Sequence, residues 1–272
     1  MSEVFYIHTI SDSTGETLNS LMRSIMTQFE GVKYDHYNWP LIRTKGQMQR
    51  VLDVVKEKKG IVLYTIVEEA LEKQLRAECR ELNIRPISVL GRFIKEFSNF
   101  FSVEPKEIVG RQHRLDEDYF ARVDAIDFTL THDDGQGEED IEEADIIIIG
   151  VSRTSKTPTC VYLANKGYKV ANIPFVDEKL IPEKIPHLKN ILIVGLIIVP
   201  ERLIQIRKSR LSSLNEQRET DYVKIEQVQD EVKKAKNYFL KHKWPIIDVT
   251  KKSVEETSAN ILQIYDDFKR KR

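Results

Sequence analysis

Along the first half of the chain, apolar runs of strand length alternate with stretches of helical period, and that alternation restricts the fold more than any other feature. Val4 to Ile10 is a strand-like run. Thr17 to Phe29 follows it, with Leu18, Leu21, Met22, Ile25, Met26 and Phe29 on one helical face. The rhythm returns in Met48, Val51, Leu52 and Val55 before the run Ile61 to Val67. It returns again in Leu71, Leu75, Cys79 and Leu82 before Ile84 to Leu90. Repeated βα units of this kind predict a parallel sheet wrapped by helices.

The pattern changes from Gly110 to Gly137, where charges of both signs surround one apolar, strand-like patch at Ile126 to Leu130. This stretch reads as a connector. Asp133 to Asp145 then holds eight acidic residues and two glycines, which suggests a solvated link and a domain boundary. The expected division is an N-terminal α/β domain with its connector, 1–140, and a second α/β domain, 141–272. With 272 residues, the chain exceeds the size at which one core is comfortable, which agrees with two units.

The second domain opens on Ile146 to Ile149, a continuous apolar run suited to the centre of a parallel sheet. Thr157 to Lys166, Glu201 to Leu214 and a segment within Val223 to Lys241 are expected helices. Lys169 to Ile173, Ile191 to Val199 and Trp244 to Val249 are expected strands. A last helix begins after Ser253, with Glu256 as its capping-box partner.

Forty-two basic and 43 acidic side chains leave a net charge of -1, so no long-range field draws the molecule to nucleic acid or an anionic membrane. The longest apolar run, Ile191 to Pro200, is about half of the roughly 20 residues a membrane span needs. The N-terminus lacks the basic flank and apolar stretch of a signal peptide. Cys79 and Cys160 are too few for a disulfide framework, and the expected location is the cytoplasm.

Gly150-Val151-Ser152-Arg153-Thr154-Ser155-Lys156-Thr157 lies between a buried strand and a helix, the context of a Walker A phosphate loop. In that geometry backbone N–H groups and the helix N-terminus face a phosphate, Lys156 reaches the terminal phosphates, and the Thr157 hydroxyl holds Mg²⁺. Ser155 stands where the usual motif has glycine. The plain alternative is a strand-to-helix turn with Thr157 as N-cap and Pro158 at the first helical position. A lysine, an arginine and two hydroxyls within one turn exceed what capping requires.

The segment GVSRTSKTPTCVYLANKGYKVANIPFV resembles the signature of the pyruvate, phosphate dikinase regulatory proteins and their phosphoenolpyruvate synthase relatives. HTISDSTGETLNSLMRSIMTQF, GRQHRLDEDYFARVDAIDFTLTHDDGQG, GLIIVPERLIQIRKSRL and WPIIDVTKKSVEETSANIL resemble further family segments in the same order. The sister group tends to carry Cys-Gly where this chain has Thr154-Ser155, which favours the dikinase branch. The resemblance implies a P-loop kinase-like C-terminal domain and a bifunctional enzyme. It would move phosphate from ADP to a threonine of the dikinase, and remove it with inorganic phosphate to give pyrophosphate. Phosphoenolpyruvate synthase is the alternative target, and a small-molecule P-loop kinase is what the loop alone would also allow. A homodimer is compatible with the sequence.

Asp133 and Asp134, just upstream of the apolar strand, are candidates to accept the proton of the substrate hydroxyl or to hold Mg²⁺ through water, against the reading of a solvated turn. Arg153 is the loop's own candidate for charge neutralisation. His113, Arg207 and Arg210 are candidate phosphate or substrate contacts, and Arg207 and Arg210, three apart, should share a helix face, as a clamp or as a solvated basic face. Arg202 belongs to the same helix. Asp248 ends a strand, where a cap or turn role is the commoner one. Ser11 to Thr17 forms a second strand-to-helix loop rich in small polar residues but without a lysine. It reads first as capping, then as a contact for protein substrate or inorganic phosphate.

Overall fold

The computed structural model describes residues 4–106, 117–213 and 221–271. The chain is α/β and divides into two compact units, Met1–Arg114 and Leu115–Arg272. His113 lies outside the described residues.

In the first unit β1 (Phe5–Ser11), β2 (Tyr34–Trp39), β3 (Ile61–Thr65) and β4 (Ile87–Ser88) form one parallel sheet in the order β2-β1-β3-β4. The helices are α1 (Glu16–Met26), α2 (Lys45–Glu57), α3 (Glu69–Glu81) and α4 (Gly91–Phe101). Two apolar clusters cover the sheet. One joins Ile10, Val62 and Tyr64 to Met48, Val51 and Leu52 of α2 and to Leu71, Leu75 and Cys79 of α3. The other joins Ile7 and Leu63 to Leu18 and Met22 of α1. Alternate residues of β1 and β3 thus point into different clusters, as the twofold side-chain period of a strand requires. Thr44 caps α2 through a capping box with Gln47.

In the second unit β5 (Ile146–Gly150), β6 (Val170–Pro174), β7 (Leu192–Ile197) and β8 (Ile246–Asp248) form a second parallel sheet in the order β6-β5-β7-β8. Its helices are α5 (Glu117–Thr131), α6 (Lys156–Ala164), α7 (Pro200–Ser213), α8 (Ile225–Lys241) and α9 (Val254–Arg270). Ile146, Ile147, Ile148 and Ile149 are wholly buried, each contributing roughly 1.5–3 kcal/mol of burial free energy. Ser253 and Glu256 form the expected capping box of α9.

The break between units falls earlier than the acidic segment suggested. The stretch Ile126 to Leu130, expected to be strand-like within a connector, is part of helix α5 and belongs to the second unit. Phe128 enters that unit's core, and the Thr129 hydroxyl accepts the Val170 N–H at 3.1 Å. The polar strand β2 and helix α4 were not among the expected elements.

The two sheets share one topology. In each, the chain steps from the first strand to one side, then returns to the other side for the third and fourth. The loop after the first strand, following Ser11 in one unit and Gly150 in the other, therefore lies at a topological switch point, where open α/β sheets place their ligands.

Candidate functional site

The two switch-point loops are built alike. Gly15 precedes α1 in the left-handed region, φ 79°, and Ser155 precedes α6 there, φ 59°. Neither helix receives a side-chain cap, so its first N–H groups are left for other acceptors. Thr157 is thus not the N-cap: α6 already begins at Lys156, and Pro158 is tolerated within its first turn. Thr14-Gly15-Glu16-Thr17 and Thr154-Ser155-Lys156-Thr157 occupy matching places, with a glutamate in the first loop where the second has its lysine.

That charge difference separates the two. The first loop borders a cavity of about 500 Å³ whose walls include Asp12, Glu16, Glu72 and Lys106. Asp12 is buried and accepts the Val67 N–H at 2.6 Å. Burial raises its pKa, while the bonds from backbone N–H groups and the nearby Arg43 charge oppose that rise. Its carboxylate already serves the start of α3. An additional anion would meet acidic walls here.

The second loop carries the opposite charge. Thr154 is buried and donates to Val151 O at 2.9 Å, and Lys156 Nζ donates to the same carbonyl at 3.2 Å. Lys156 is 6% exposed and forms no ion pair among the described residues. Burial lowers its pKa to about 8, while the negative charges of Asp134 and Asp133 act in the other direction. An ammonium desolvated this way, folded back on its own loop, is held ready for an anion. A Cβ on Gly150 would lie 2.9 Å from both Leu196 O and Thr154 Oγ1, so this position admits only glycine.

A second layer fixes the loop from outside. Arg207, 1% exposed, pairs bidentately with Glu231 at 2.9 and 3.0 Å and donates to Ser152 O at 3.2 Å and Tyr222 O at 3.1 Å. Its guanidinium lies 4.2 Å from the centre of the Tyr222 ring. The Tyr222 hydroxyl meets Ser152 Oγ at 3.2 Å and accepts from Arg153 Nε at 3.3 Å. Arg207 is therefore a buried brace of the loop, and Arg210, exposed on the same helix, does not join it. Arg202 is exposed and donates to Gln205 at 3.2 Å. Asp248 accepts the Thr250 N–H at 2.9 Å, a turn role.

The acidic pair divides in two. Asp133 accepts from the Thr157 hydroxyl at 3.0 and 3.3 Å and from the Asn172 carboxamide. Asp134, φ 55°, is exposed and has no hydrogen-bond partner among the described residues. It borders a cavity of roughly 200 Å³ with Gln136, Asn172 and Pro174. His132, directly before the pair, is buried. Its Nδ1 lies 2.7 Å from Phe128 O and its Nε2 2.9 Å from Asp140, which anchors the turn to α5.

Residues 7–262 match the kinase/pyrophosphorylase family. The chain belongs to that family. A relative in Pelagibacter ubique is 46% identical over 98% of both chains, and one in Paramagnetospirillum magneticum is 45% identical over 98% of this chain and 86% of its own. A third, in Maricaulis maris, is 46% identical over 96% of this chain and 93% of its own. All three carry the provisional name pyruvate, phosphate dikinase regulatory protein. The family description makes the chain a member of a phosphotransferase group. No helix among the described residues is long and apolar enough to cross a membrane.

Asn172, Tyr222, Glu231 and His132 escaped the sequence reading. Asn172, in an apolar strand, carried the one available signal: an amide between Ala171 and Ile173 where the sheet should bury hydrophobic side chains.

Proposed function

We propose that this protein is an ADP-dependent serine/threonine protein kinase and a phosphate-dependent phosphorylase. Its substrate is a pyruvate, phosphate dikinase, a target supported by the names of its relatives. The observation that carries the reading is Lys156, a buried ammonium that forms no ion pair among the described residues, at the start of a helix whose N–H groups lack a side-chain cap. Loop and helix together form a cradle for the phosphates of ADP.

In the forward reaction the threonine oxygen attacks the terminal phosphorus of ADP, the bond to the bridging oxygen breaks, and AMP leaves. In reverse, an oxygen of inorganic phosphate attacks the phosphothreonine and carries the phosphoryl group away as pyrophosphate. Both transition states spread negative charge over the same phosphoryl oxygens, which Lys156, Arg153 and the N–H groups from Val151 to Thr157 neutralise. Asp134, the free carboxylate, accepts the proton of the attacking threonine.

The loop's mouth also suits Mg²⁺. Thr157 gives its proton to Asp133 and accepts from Asn172, which leaves one oxygen lone pair available, with a carboxylate on the same side. Mg²⁺ retains waters and needs one or two protein oxygens beside the phosphates. Thr157 and Asp133 would hold it, and it would supply further charge neutralisation.

Calorimetric titration of ADP into the wild type and Lys156→Ala tests the site. Binding to the wild type and its loss in a folded variant are expected. Equal affinity in both would remove the loop from the mechanism.

A further inference from the structure

Asn172 sits in the middle of β6, in register with Ile148 of the fully buried β5, and is itself 1% exposed. Although β6 is an edge strand, Val170, Ala171 and Ile173 beside Asn172 are apolar and buried. The carboxamide is therefore an exception that calls for a cause.

Its Nδ2 donates to Asp133 Oδ1 and, at 3.0 Å, to Thr157 Oγ1. Its main chain holds the same turn: Asn172 N–H donates to His132 O and Gly135 N–H donates to Asn172 O, both at 2.9 Å. One residue thus grips the acidic turn on both sides of Asp133 and reaches the first turn of α6. The remaining carboxamide atom, Oδ1, is buried with no hydrogen-bond partner. Rotating the amide would set that oxygen against the Asp133 carboxylate, so the orientation is fixed by charge. A valine here would leave no orphaned acceptor. The sequence keeps a locally unfavourable group, which is the signature of a functional constraint.

We propose that Asn172 is a positioning residue for the transfer reaction: through Nδ2 it holds the Asp133 carboxylate and the Thr157 oxygen in one fixed relation across the loop's mouth. It touches neither nucleotide nor acceptor and acts through Asp133. This role rests on the function proposed above.

A double-substitution cycle tests it. Asn172→Ala should slow single-turnover transfer by about 10–100-fold, the range for residues that orient a first-contact group. In an Asp133→Ala background the same change should add little, because the group it orients is gone. Independent, multiplicative losses would overturn the role. An independent signature comes from nuclear magnetic resonance of the Asn172 carboxamide, whose Nδ2 protons should exchange slowly in the wild type and faster in Asp133→Ala. Fast exchange in both would also overturn it. A wild type that transfers nothing refutes the proposed function and this role together, whereas an active wild type with multiplicative losses refutes this role alone.

Discussion

The Thr157 hydroxyl donates to Asp133 at 3.0 Å, tying the turn after α5 to the first turn of α6. Asp134, its neighbour in sequence, is left exposed and without a hydrogen-bond partner among the described residues. Adjacent carboxylates thus differ, one hydrogen-bonded to the loop and one not, and the proposed function gives the second the acceptor's proton.

Their substitutions should separate accordingly. Asp134→Asn should lower the transfer rate by about 10²–10⁴-fold, the usual contribution of a positioned base, while ADP affinity stays near that of the wild type. A smaller loss would show positioning and charge to outweigh proton removal. Asp133→Asn should weaken ADP binding as well, most of all when Mg²⁺ is limiting. Single-turnover rates and ADP titrations of both variants make the comparison, and near-normal rates in both would return the pair to the role of a solvated turn.

Lys156 sets stability against function. Its pKa falls from 10.5 to about 8 on folding, so below pH 8 the folded state carries a charge that burial disfavours. Between about pH 8 and 10.5 the unfolded chain binds the extra proton, and the lysine's contribution to stability rises with pH in that window. Lys156→Met should therefore raise the stability of the nucleotide-free protein at pH 7, by on the order of 1–3 kcal/mol, and abolish ADP binding. Denaturant unfolding at pH 7 and 10 checks both the gain and its decline.

The same shift gives binding a pH dependence. ADP needs the ammonium form, so affinity should fall as pH rises through about 8, the lowered pKa of Lys156. Above that pH, binding should take up a proton, seen as a heat that varies with the ionisation enthalpy of the buffer.

Ser155 occupies a left-handed backbone conformation, φ 59°, that glycine adopts without strain. Ser155→Gly should retain ADP binding and change stability by less than about 1 kcal/mol in either direction, because relieved strain is offset by added freedom of the unfolded chain. Lost affinity in calorimetry would give the hydroxyl a direct part in binding.

Arg207 braces the loop only while Glu231 holds it. Arg207→Ala should cost about 3 kcal/mol or more by leaving the pair broken and Ser152 O without its donor. Arg207→Ala should also weaken ADP binding by releasing the loop, and Glu231→Gln should do so in milder form, which a direct phosphate contact by Arg207 would not require. Unfolding curves and ADP titrations of the two variants decide.

Legibility followed sequence distance. The strand Ile146 to Ile149, the loop after it, helix α6 and the Ser253–Glu256 box all depend on neighbours within a few residues, and each was readable. Strand β2, YDHYNW, lacks an apolar run because its polar side chains pair across the sheet, with His36 and Asn38 meeting Thr9. Helix α5 was hidden by its mixed charges, and helix α4 buries none of its side chains, so no core signal marked it. Arg207 read as a solvated or phosphate-facing cation because Glu231 and Ser152, 24 and 55 residues away, cannot be placed beside it by spacing. The shared topology of the two sheets leaves no repeat in the sequence; strand order alone reveals it.

The central claim is phosphoryl transfer from ADP bound at Lys156 to a protein threonine. Incubating the wild type and Lys156→Ala with ADP, Mg²⁺ and a pyruvate, phosphate dikinase, then locating phosphate by mass spectrometry, measures it directly. The account requires one phosphothreonine on the dikinase and AMP in solution with the wild type, neither with the variant, and pyrophosphate when inorganic phosphate is supplied to the modified dikinase. An unmodified dikinase, phosphate on a small molecule instead, or equal transfer by the folded variant would contradict it.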